Sequence, residues 1–519
     1  MSFAQLTELR PLPTMPAMLT IYPSIDQVRE QAGAGATLVP MYCELLSDNL
    51  TPVMAFARLA NTAEHAFILE SVVGGEKIAR YSFLAANPRE VFVAKGKSTR
   101  IVRGGKVLRE VTSDDPLAEL ERMMANYHAP HHLPGMPRFL GGAVGYASYD
   151  LVRFYEPLPN PPPDDRDLPD LLFGLYDTMV IFDHVFKNVK VVSHADTSRG
   201  VEAGYREAQE VIRRTVEQLS RPQLTSVSSL DTSQAGCVDF TSTMTRAAFE
   251  RAVEGCLEYI RAGDIFQVVL SQRLTTTTTA DPFNIYRALR AVNPSPFMFY
   301  VKSPQVRLVG SSPEIMCRVE DGIITNRPLA GTRRRGKTEA EDKHLEQDLL
   351  ADPKERAEHV MLVDLGRNDV GRVAELGSVQ LTEVMTVERY SHVMHISSEV
   401  IGKLAEGKTA FDALRATLPV GTVTGAPKVR AMQIIDEFEP KRRGPYAGAV
   451  GYIDFAGNMD TCIALRTMVL TPREDGKWNA YAQAGAGIVA DSIPANEYEE
   501  TMNKAAVMFK AIAAAEKSL

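Results

Sequence analysis

Two stretches of the chain carry the same arrangement of carboxylates. In DPKERAEHVMLVDLGRND, Glu355 and Glu358 stand three residues apart in a segment whose pattern predicts a helix opening near Pro353. In PANEYEETMNKAAVMFKAI, Glu497 and Glu500 repeat the spacing, with Lys504 one turn further along the same face. No cysteine lies near either pair, and the one adjacent histidine, His359, opens the apolar run HVMLVDL. An all-oxygen set suits a hard cation, and Mg²⁺ takes one or two protein carboxylates while water and substrate oxygens fill its other positions. The chemistry this points to is capture of an anionic substrate through magnesium. A single such pair equally suits a solvated helix face with internal salt bridges. Context separates the two readings: HVMLVDL beside the first pair and QAGAGIVADSIP before the second both read as buried.

Other residues could complete such a site. The glycines of Gln483–Val489 let backbone N–H groups approach an anion, although a strand followed by a turn gives the same letters. PVGTVTGAPKVRAMQII, residues 419–435, offers glycines 421 and 425, the donors Thr422 and Thr424, and a helix opening near Pro427 with Lys428. It departs from the G-x-x-x-x-G-K-[ST] phosphate loop, so the expected anion is a carboxylate. Glu314 in SSPEIMCRV has apolar flanks that could raise its pKa towards that of a general acid. His392 and His395 alternate with apolar residues in YSHVMHISSEV; such strand histidines are commonly structural, and the neighbouring motifs favour a functional His395. RPLAGTRRRG, residues 327–336, is the one strongly basic stretch, with a bare alanine at 330.

The elements that position these residues follow from length and patterning. A chain of 519 residues exceeds one ordinary core, and one domain per ~150 residues suggests two to four domains or one large interleaved pair. Hydrophobic residues at 45% and charged residues at 24% predict a soluble globular chain, and no apolar run is long enough to span a bilayer. A net charge of −8 gives no general attraction to nucleic acid, so neither nucleic-acid nor membrane partners are expected. The opening MSFAQLTELRPLP lacks the basic-then-apolar order of a secretory leader, so the expected compartment is cytoplasmic. Five scattered cysteines (Cys43, Cys237, Cys256, Cys317, Cys462) form no C-x-x-C pair and are expected to be reduced and mostly buried.

NPPPDDRDLPD at 160–170 and the Ser/Thr-rich stretch at 219–236 punctuate the chain, the second reading as a linker between an N-terminal region, 1–218, and a second region, 237–519. GLYDTMVIFDHVFKNVKVVSH predicts a strand hairpin, and RGVEAGYREAQEVIRRTVEQLS an amphipathic helix. Phe249, Val253, Cys256, Leu257 and Ile260 form the stripe of a core-facing helix, followed by a strand in GDIFQVVLSQRLTTTTT whose threonine run suits a strand edge. No repeat of ~20–50 residues is visible.

Taken together, GDIFQVVLSQR, NPSPFMFY, SSPEIM, RPLAGTRRRG, ERAEHVMLVDLGRNDVGRV, VMHISSEV, GTVTGAPKVRAMQII, PYAGAVGYIDFAGNMDTCIALRT and QAGAGIVADSIPANEYEETMNKA resemble the chorismate-utilising enzymes over roughly residues 245–515. VPMYCELLSDNLTPVMAF, ILESVVGGEKIARYSF and FLGGAVGYASYDLVRFYEPLP resemble the N-terminal, regulatory region of the anthranilate synthase component I family. The resemblance implies an α/β fold of α+β type, layered, with two large interleaved β-sheets flanked by helices and the active site between them. It implies Mg²⁺ on Glu358 and Glu500 with Glu355 and Glu497 nearby, and a substrate site formed by Gly331, Tyr446, Arg466, Lys504 and the amides around Gly485 and Gly487.

The resemblance also implies how the family's reactions divide. Members making aminodeoxychorismate place a lysine nucleophile where this chain has Ala330, and isochorismate-forming members place a lysine base where it has Gln267. Direct attack by ammonia remains, with Glu314 as general acid and His395 and Thr422 assisting, giving anthranilate and pyruvate as the first step of tryptophan synthesis. Ammonia would come from a partner glutamine amidotransferase, anthranilate synthase component II, since the chain shows no G-x-C-x-G nucleophile elbow. Leu69, Glu70 and Ser71, with Asn293, Pro294, Ser295, Met298 and Cys462, resemble the family's tryptophan feedback site. Arg333, Arg334 and Arg335 either steer anions or anchor the loop through ion pairs.

Overall fold

The computed structural model describes residues 19–518 apart from 47, 72–79, 131, 132, 134, 222–237 and 391–392. The 1–18 segment, most of the 219–236 stretch, Cys237 and His392 thus lie outside the described residues. Among the described residues, the strands form two 12-stranded sheets built from antiparallel pairs. The first runs from Leu38–Leu46 through N-terminal strands to Ala66–Glu70, then passes onto Phe297–Lys302, Arg307–Ser312, Thr467–Pro472, Trp478–Ile488 and Gln267–Thr278. The second runs from Leu329–Arg334 and Val393–Lys403 through Ile315–Glu320, Met459–Ile463 and Ala449–Asp454 to Gly142–Ala147, ending at Lys106–Thr112. Both sheets therefore join the two halves of the chain, with Glu70 opposite Met298 in one and Ala147 opposite Ala449 in the other.

Helices cover the outer faces because their apolar stripes have nowhere else to go. Val201–Ser220 buries Gly204, Ala208, Ile212, Val216 and Leu219, and Arg246–Ala262, capped by Thr245 and a left-handed Gly263, buries Phe249, Val253, Cys256 and Leu257. The first of these helices extends through Ser220, two residues into the stretch read as a linker. A separate apolar layer lies between the sheets and includes Tyr146, Phe299, Leu308, Val450 and Cys462. The hairpin read in residues 174–194 is real over Thr178–Asp183 and Asn188–Asp196, but Gly174–Tyr176 belong to Leu171–Tyr176 in the opposite sheet. Alternation of side chains cannot reveal that a strand has changed sheets.

Such changes of sheet place the functional residues. The chain steps from Arg307–Ser312 in the first sheet to Ile315–Glu320 in the second, with Glu314 in the step. It steps back from Met459–Ile463 to Thr467–Pro472, with Arg466 in the step at φ +48°. The steps lie side by side: Ile463 N donates to Glu314 O at 3.0 Å and Ser311 N to Arg466 O at 3.2 Å. An acid and a cation are thereby held next to each other where the sheets meet.

Candidate active site

Glu314 is buried, 4% exposed, and its Oε1 accepts from Thr422 Oγ1 at 2.7 Å and from Leu329 N at 3.4 Å. Burial pushes its carboxyl up to about 8, against those two bonds, and the charge of Glu388 adds to the rise. At neutral pH the group is a carboxylic acid. With Oε1 already accepting two bonds, Oε2 is the oxygen left to carry the proton.

His395 lies in the strand Val393–Lys403, and its Nδ1 donates to the carbonyl of Gly331 at 2.7 Å. That bond fixes the proton on Nδ1 and leaves Nε2 as an acceptor. Burial lowers the imidazole pKa, and the nearby Arg466 lowers it further, so the ring is neutral at pH 7. Gly331 supplies its carbonyl at φ +66°, and a Cβ there would lie 3.0 Å from Leu349 and 3.1 Å from Glu355 Oε2. No side chain fits that turn without strain.

The two carboxylate helices are Pro353–Gly371, capped by Asp352, and Pro494–Ser518. Gln267 Nε2 donates to Glu358 Oε1 at 3.4 Å. Burial raises the Glu358 carboxyl pKa, and the negative charges of Glu355 and Glu500 add to the effect. Glu497 is raised by burial and by Glu500. Lys504 Nζ sits 2.5 Å from Glu500 Oε1 and donates to Gly485 O at 2.9 Å. Carboxylates gathered this closely form the kind of anionic cluster a divalent cation relieves. Among the described residues no three acidic or histidine side chains close a ready-made cage. Two carboxylates completed by water and substrate oxygens is nonetheless a magnesium-like set, so the residues fit the ion.

The glycine strand Trp478–Ile488 is paired on both sides only as far as Ala482; beyond it, only Gln267–Thr278 flanks it. In a β-strand the N–H and C=O of one residue point to the same edge. Because Lys504 reaches Gly485 O, the amides of Gly485 and Gly487 face the open edge too. A Cβ at 485 would lie 2.9 Å from the Tyr446 hydroxyl and one at 487 would lie 2.7 Å from Gln267 Nε2, so glycine keeps this edge accessible. Arg466 is largely buried, and its guanidinium makes no hydrogen bond or ion pair among the described residues. Burial holds its pKa below the ordinary guanidinium value. A desolvated cation without a counter-ion is expensive to keep, and an anionic ligand would complete it.

Several residues missed in the sequence hold this arrangement together. Arg443, 1% exposed, pairs with Glu439 at 2.6 Å and donates to Val423 O and Val269 O at 2.7 Å each. Glu439 also accepts from Ser271 N and Oγ at 2.8 and 2.7 Å. One buried ion pair thus ties the Thr422 turn to the Gln267 strand. Arg443→Ala should cost about 3–5 kcal/mol of stability, read from the denaturant midpoint, because it strands the Glu439 carboxylate. The i,i+4 spacing of Glu439 and Arg443 was visible in the sequence; their burial was not.

The 419–435 segment is not an open anion cradle. Thr422 serves Glu314, Thr424 Oγ1 donates to Val420 O at 2.9 Å, and Lys428 pairs with Asp369 at 2.5 Å. The helix begins at Lys428, with Pro427 as its cap. The three loop arginines are anchors: Arg333 binds Asp348, Asp352 and Glu355, Arg334 binds Glu341, and Arg335 binds Asp342.

A separate cavity of about 480 Å³ opens between the sheets where the chain halves meet. Leu69, Glu70, Ser71, Met298 and Cys462 line it, joined by Phe139, Tyr452, Arg318 and Asp460 from segments the sequence reading did not connect. The Ser71 hydroxyl is buried and has no hydrogen-bond partner among the described residues, whereas the Glu70 carboxylate is taken by Tyr286 and Arg290. Asn293, Pro294 and Ser295 do not line it: Asn293 and Ser295 brace Ser311 behind the wall. Cys43, Cys256, Cys317 and Cys462 are free and buried, and burial raises the first three thiols to about 11, 12 and 12. No helix among the described residues is long and apolar enough to cross a membrane.

The sequence profile of the chorismate binding enzymes matches residues 64–510. Anthranilate synthase component 1 of Aquifex aeolicus is 47% identical over 495 residues, covering 95% of this chain and 98% of that protein. The same-named protein of Pseudomonas putida is 48% identical over 491 residues, with 94% and 98% covered. The crystal structure of anthranilate synthase component I from Streptococcus pneumoniae superposes with a TM-score of 0.73 at 40% identity, over 90% of this chain and 98% of that one. The Escherichia coli isochorismate synthase MenF shares the fold at a TM-score of 0.66 and 18% identity, covering 94% and 98%. Agreement of this extent over nearly the whole chain places it in the chorismate-binding enzymes, as a member of the anthranilate synthase component I family.

Proposed function

We propose that the chain converts chorismate and ammonia to anthranilate and pyruvate. The observation that carries this reading is the Gln267 carboxamide, hydrogen-bonded to Glu358 in the carboxylate cluster, where a lysine base would be needed to activate water. With Ala330 offering no amine either, the nucleophile must come from outside the chain.

Glu358 and Glu500 would hold Mg²⁺, with Glu355 and Glu497 behind them, and the bound ion would supply positive charge to one carboxylate of the substrate. Arg466, the Tyr446 hydroxyl and the Gly485 and Gly487 amides suit a second carboxylate. Ammonia then bonds to the ring carbon, the ring C–O bond breaks, and Glu314 passes its proton to the departing hydroxyl, which leaves as water. The product of that step is aminodeoxyisochorismate. In the second step Nε2 of His395 takes the ring proton, the enolpyruvyl C–O bond breaks, and the group leaves as pyruvate after regaining a proton. Aromatisation drives this step forward.

The test is incubation of the purified chain with chorismate, Mg²⁺ and ammonium at mildly alkaline pH, with products identified by fluorescence and mass spectrometry. Anthranilate with equimolar pyruvate is the expected outcome. Isochorismate or aminodeoxychorismate would keep the fold and overturn the use made of Gln267 and Ala330.

Ammonia supply by a glutamine amidotransferase subunit is part of the same reading. A glutaminase nucleophile must be an accessible thiolate, and the four described cysteines are buried with raised pKa values. The purified chain should make no anthranilate from glutamine alone and should do so with ammonium.

The second cavity suits tryptophan as an inhibitor. Its aromatic and aliphatic walls fit an indole, and the unpartnered Ser71 hydroxyl with Arg318 and Asp460 offers polar contacts for the amino-acid end. Ser71→Leu should raise the tryptophan concentration for half-inhibition at least about tenfold by filling the cavity and removing one hydrogen-bonding group, with kcat within about twofold of the parent. Unchanged inhibition would remove the site from this cavity.

A further inference from the structure

We propose that Arg333 is a positioning residue that holds the Glu355 carboxylate out of the cation-binding set, leaving Glu358 and Glu500 to form it. The proposal rests on the reading that those two glutamates take the cation.

Arg333 spends its whole guanidinium on one corner of the fold. Its Nε bonds Asp348 at 2.8 Å, one terminal nitrogen bonds Asp352 at 2.7 Å, and the other bonds Glu355 at 3.0 Å and Thr332 O at 3.1 Å. Asp348 belongs to the helix Glu339–Ala351. Asp352 caps the next helix, accepting from Lys354 N at 2.9 Å and Glu355 N at 3.4 Å. Three carboxylates are gathered by one planar fork, a geometry that a lysine cannot reproduce.

The loop is shaped for this contact. Pairing with Val393–Lys403 shifts register between Ala330 and Arg333, and an irregularity of this kind re-aims the side chains around it. Glu355 is then held through Oε1 by Arg333, while Oε2 lies beside the space that a side chain at Gly331 would need. One turn along the same helix, Glu358 receives only the long bond from the Gln267 amide and makes no ion pair among the described residues. Two glutamates at i and i+3 are thus given opposite roles by one arginine: Glu355 is tied up in an ion pair and Glu358 is left to bind. The same loop delivers Leu329 N to Glu314 and Gly331 O to His395, so the clamp also sets the distance between the acid, the histidine and the carboxylate helix.

The test uses the full chain with Mn²⁺ as the probe, its binding followed by electron paramagnetic resonance without chorismate, alongside steady-state chorismate kinetics. Arg333→Gln frees a third carboxylate for the cation, so Mn²⁺ should bind about tenfold tighter. The substrate carboxylate then meets a more negative site, and the chorismate KM should rise about tenfold. Adding Glu355→Gln to Arg333→Gln should return both constants to within about threefold of the parent, because the released charge is gone. Unchanged Mn²⁺ binding in Arg333→Gln would overturn the proposal, as would weaker binding that Glu355→Gln does not restore, which is the behaviour of a helix cap alone. Should Arg333→Gln not fold, Glu355→Gln alone decides: Mn²⁺ affinity within about twofold of the parent supports the proposal, and a loss equal to that of Glu358→Gln defeats it. Glu358→Gln is also the separate control on the cation reading, since failure of that variant to weaken Mn²⁺ binding would overturn the site itself.

Discussion

Replacing Glu314 with glutamine should lower kcat by about 10²- to 10⁴-fold while leaving chorismate and divalent-cation binding within a few-fold of the parent. Glutamine keeps the shape and the bond from Thr422 but has no proton to give to a departing hydroxyl. The measurement is kcat from steady-state anthranilate formation, paired with equilibrium binding of chorismate. Loss of binding in place of loss of turnover would remove Glu314 from the acid role. Unfolding cannot be the explanation, and the sign of the linkage shows why. A carboxyl raised from the ordinary range to about 8 contributes stability that is fully present at low pH and is lost as pH rises through about 8. At neutral pH the parent has already given up part of that stability relative to acid, so the glutamine variant should melt no lower.

The same group dictates the pH profile. With free ammonia held constant, kcat should fall above about pH 8 as Glu314 loses its proton. The Thr422 bond favours the ionised carboxylate and pulls the pKa down. Thr422→Val should therefore move the falling limb to higher pH as it lowers the rate. A limb that stays in place would mean that another group controls it.

How far the sequence foretold this site depends on what kind of relation each residue needs. The i,i+3 carboxylates were legible because helical periodicity alone puts them on one face, and Pro353 marked the start of their helix. Glu314 was legible as an acid among apolar neighbours. The glycines at 485 and 487 could be read as permitting close approach, but nothing local said that their strand loses a neighbour at Ala482. The sheets were legible only through the resemblance, because each joins strands such as Ala66–Glu70 and Phe297–Lys302 that lie more than two hundred residues apart. Local pattern carries no information about such partners. The arginine loop shows the limit most clearly: RPLAGTRRRG looks like an anion receptor, and the anions it receives are the protein's own Asp348, Asp352, Glu355, Glu341 and Asp342. Composition records charge; it does not record whether that charge is already spent.

Arg466 is the opposite case, a single arginine in CIALRT whose charge is not spent. Arg466→Gln should lower kcat/KM by about 10²- to 10³-fold, mostly through KM for chorismate, because it removes the charge-assisted contact to a desolvated carboxylate. The same change should leave the thermal midpoint unchanged or raise it, since the parent bears the desolvation of a guanidinium that has no hydrogen bond or ion pair among the described residues to offset it. A structural arginine behaves the other way round: Arg443→Ala breaks a satisfied ion pair and lowers stability. Scanning calorimetry and steady-state kinetics on the Arg466 and Arg443 variants therefore separate the two kinds of buried arginine. If Arg466→Gln lost stability as Arg443→Ala is expected to, the guanidinium would have to have a partner within the fold, and the second carboxylate of chorismate would need a different receptor. If it keeps stability and loses affinity, the step at which the chain re-enters the first sheet is held in an unfavourable ionic state that only ligand relieves, and the left-handed backbone at 466 is the means of aiming that charge between the two sheets.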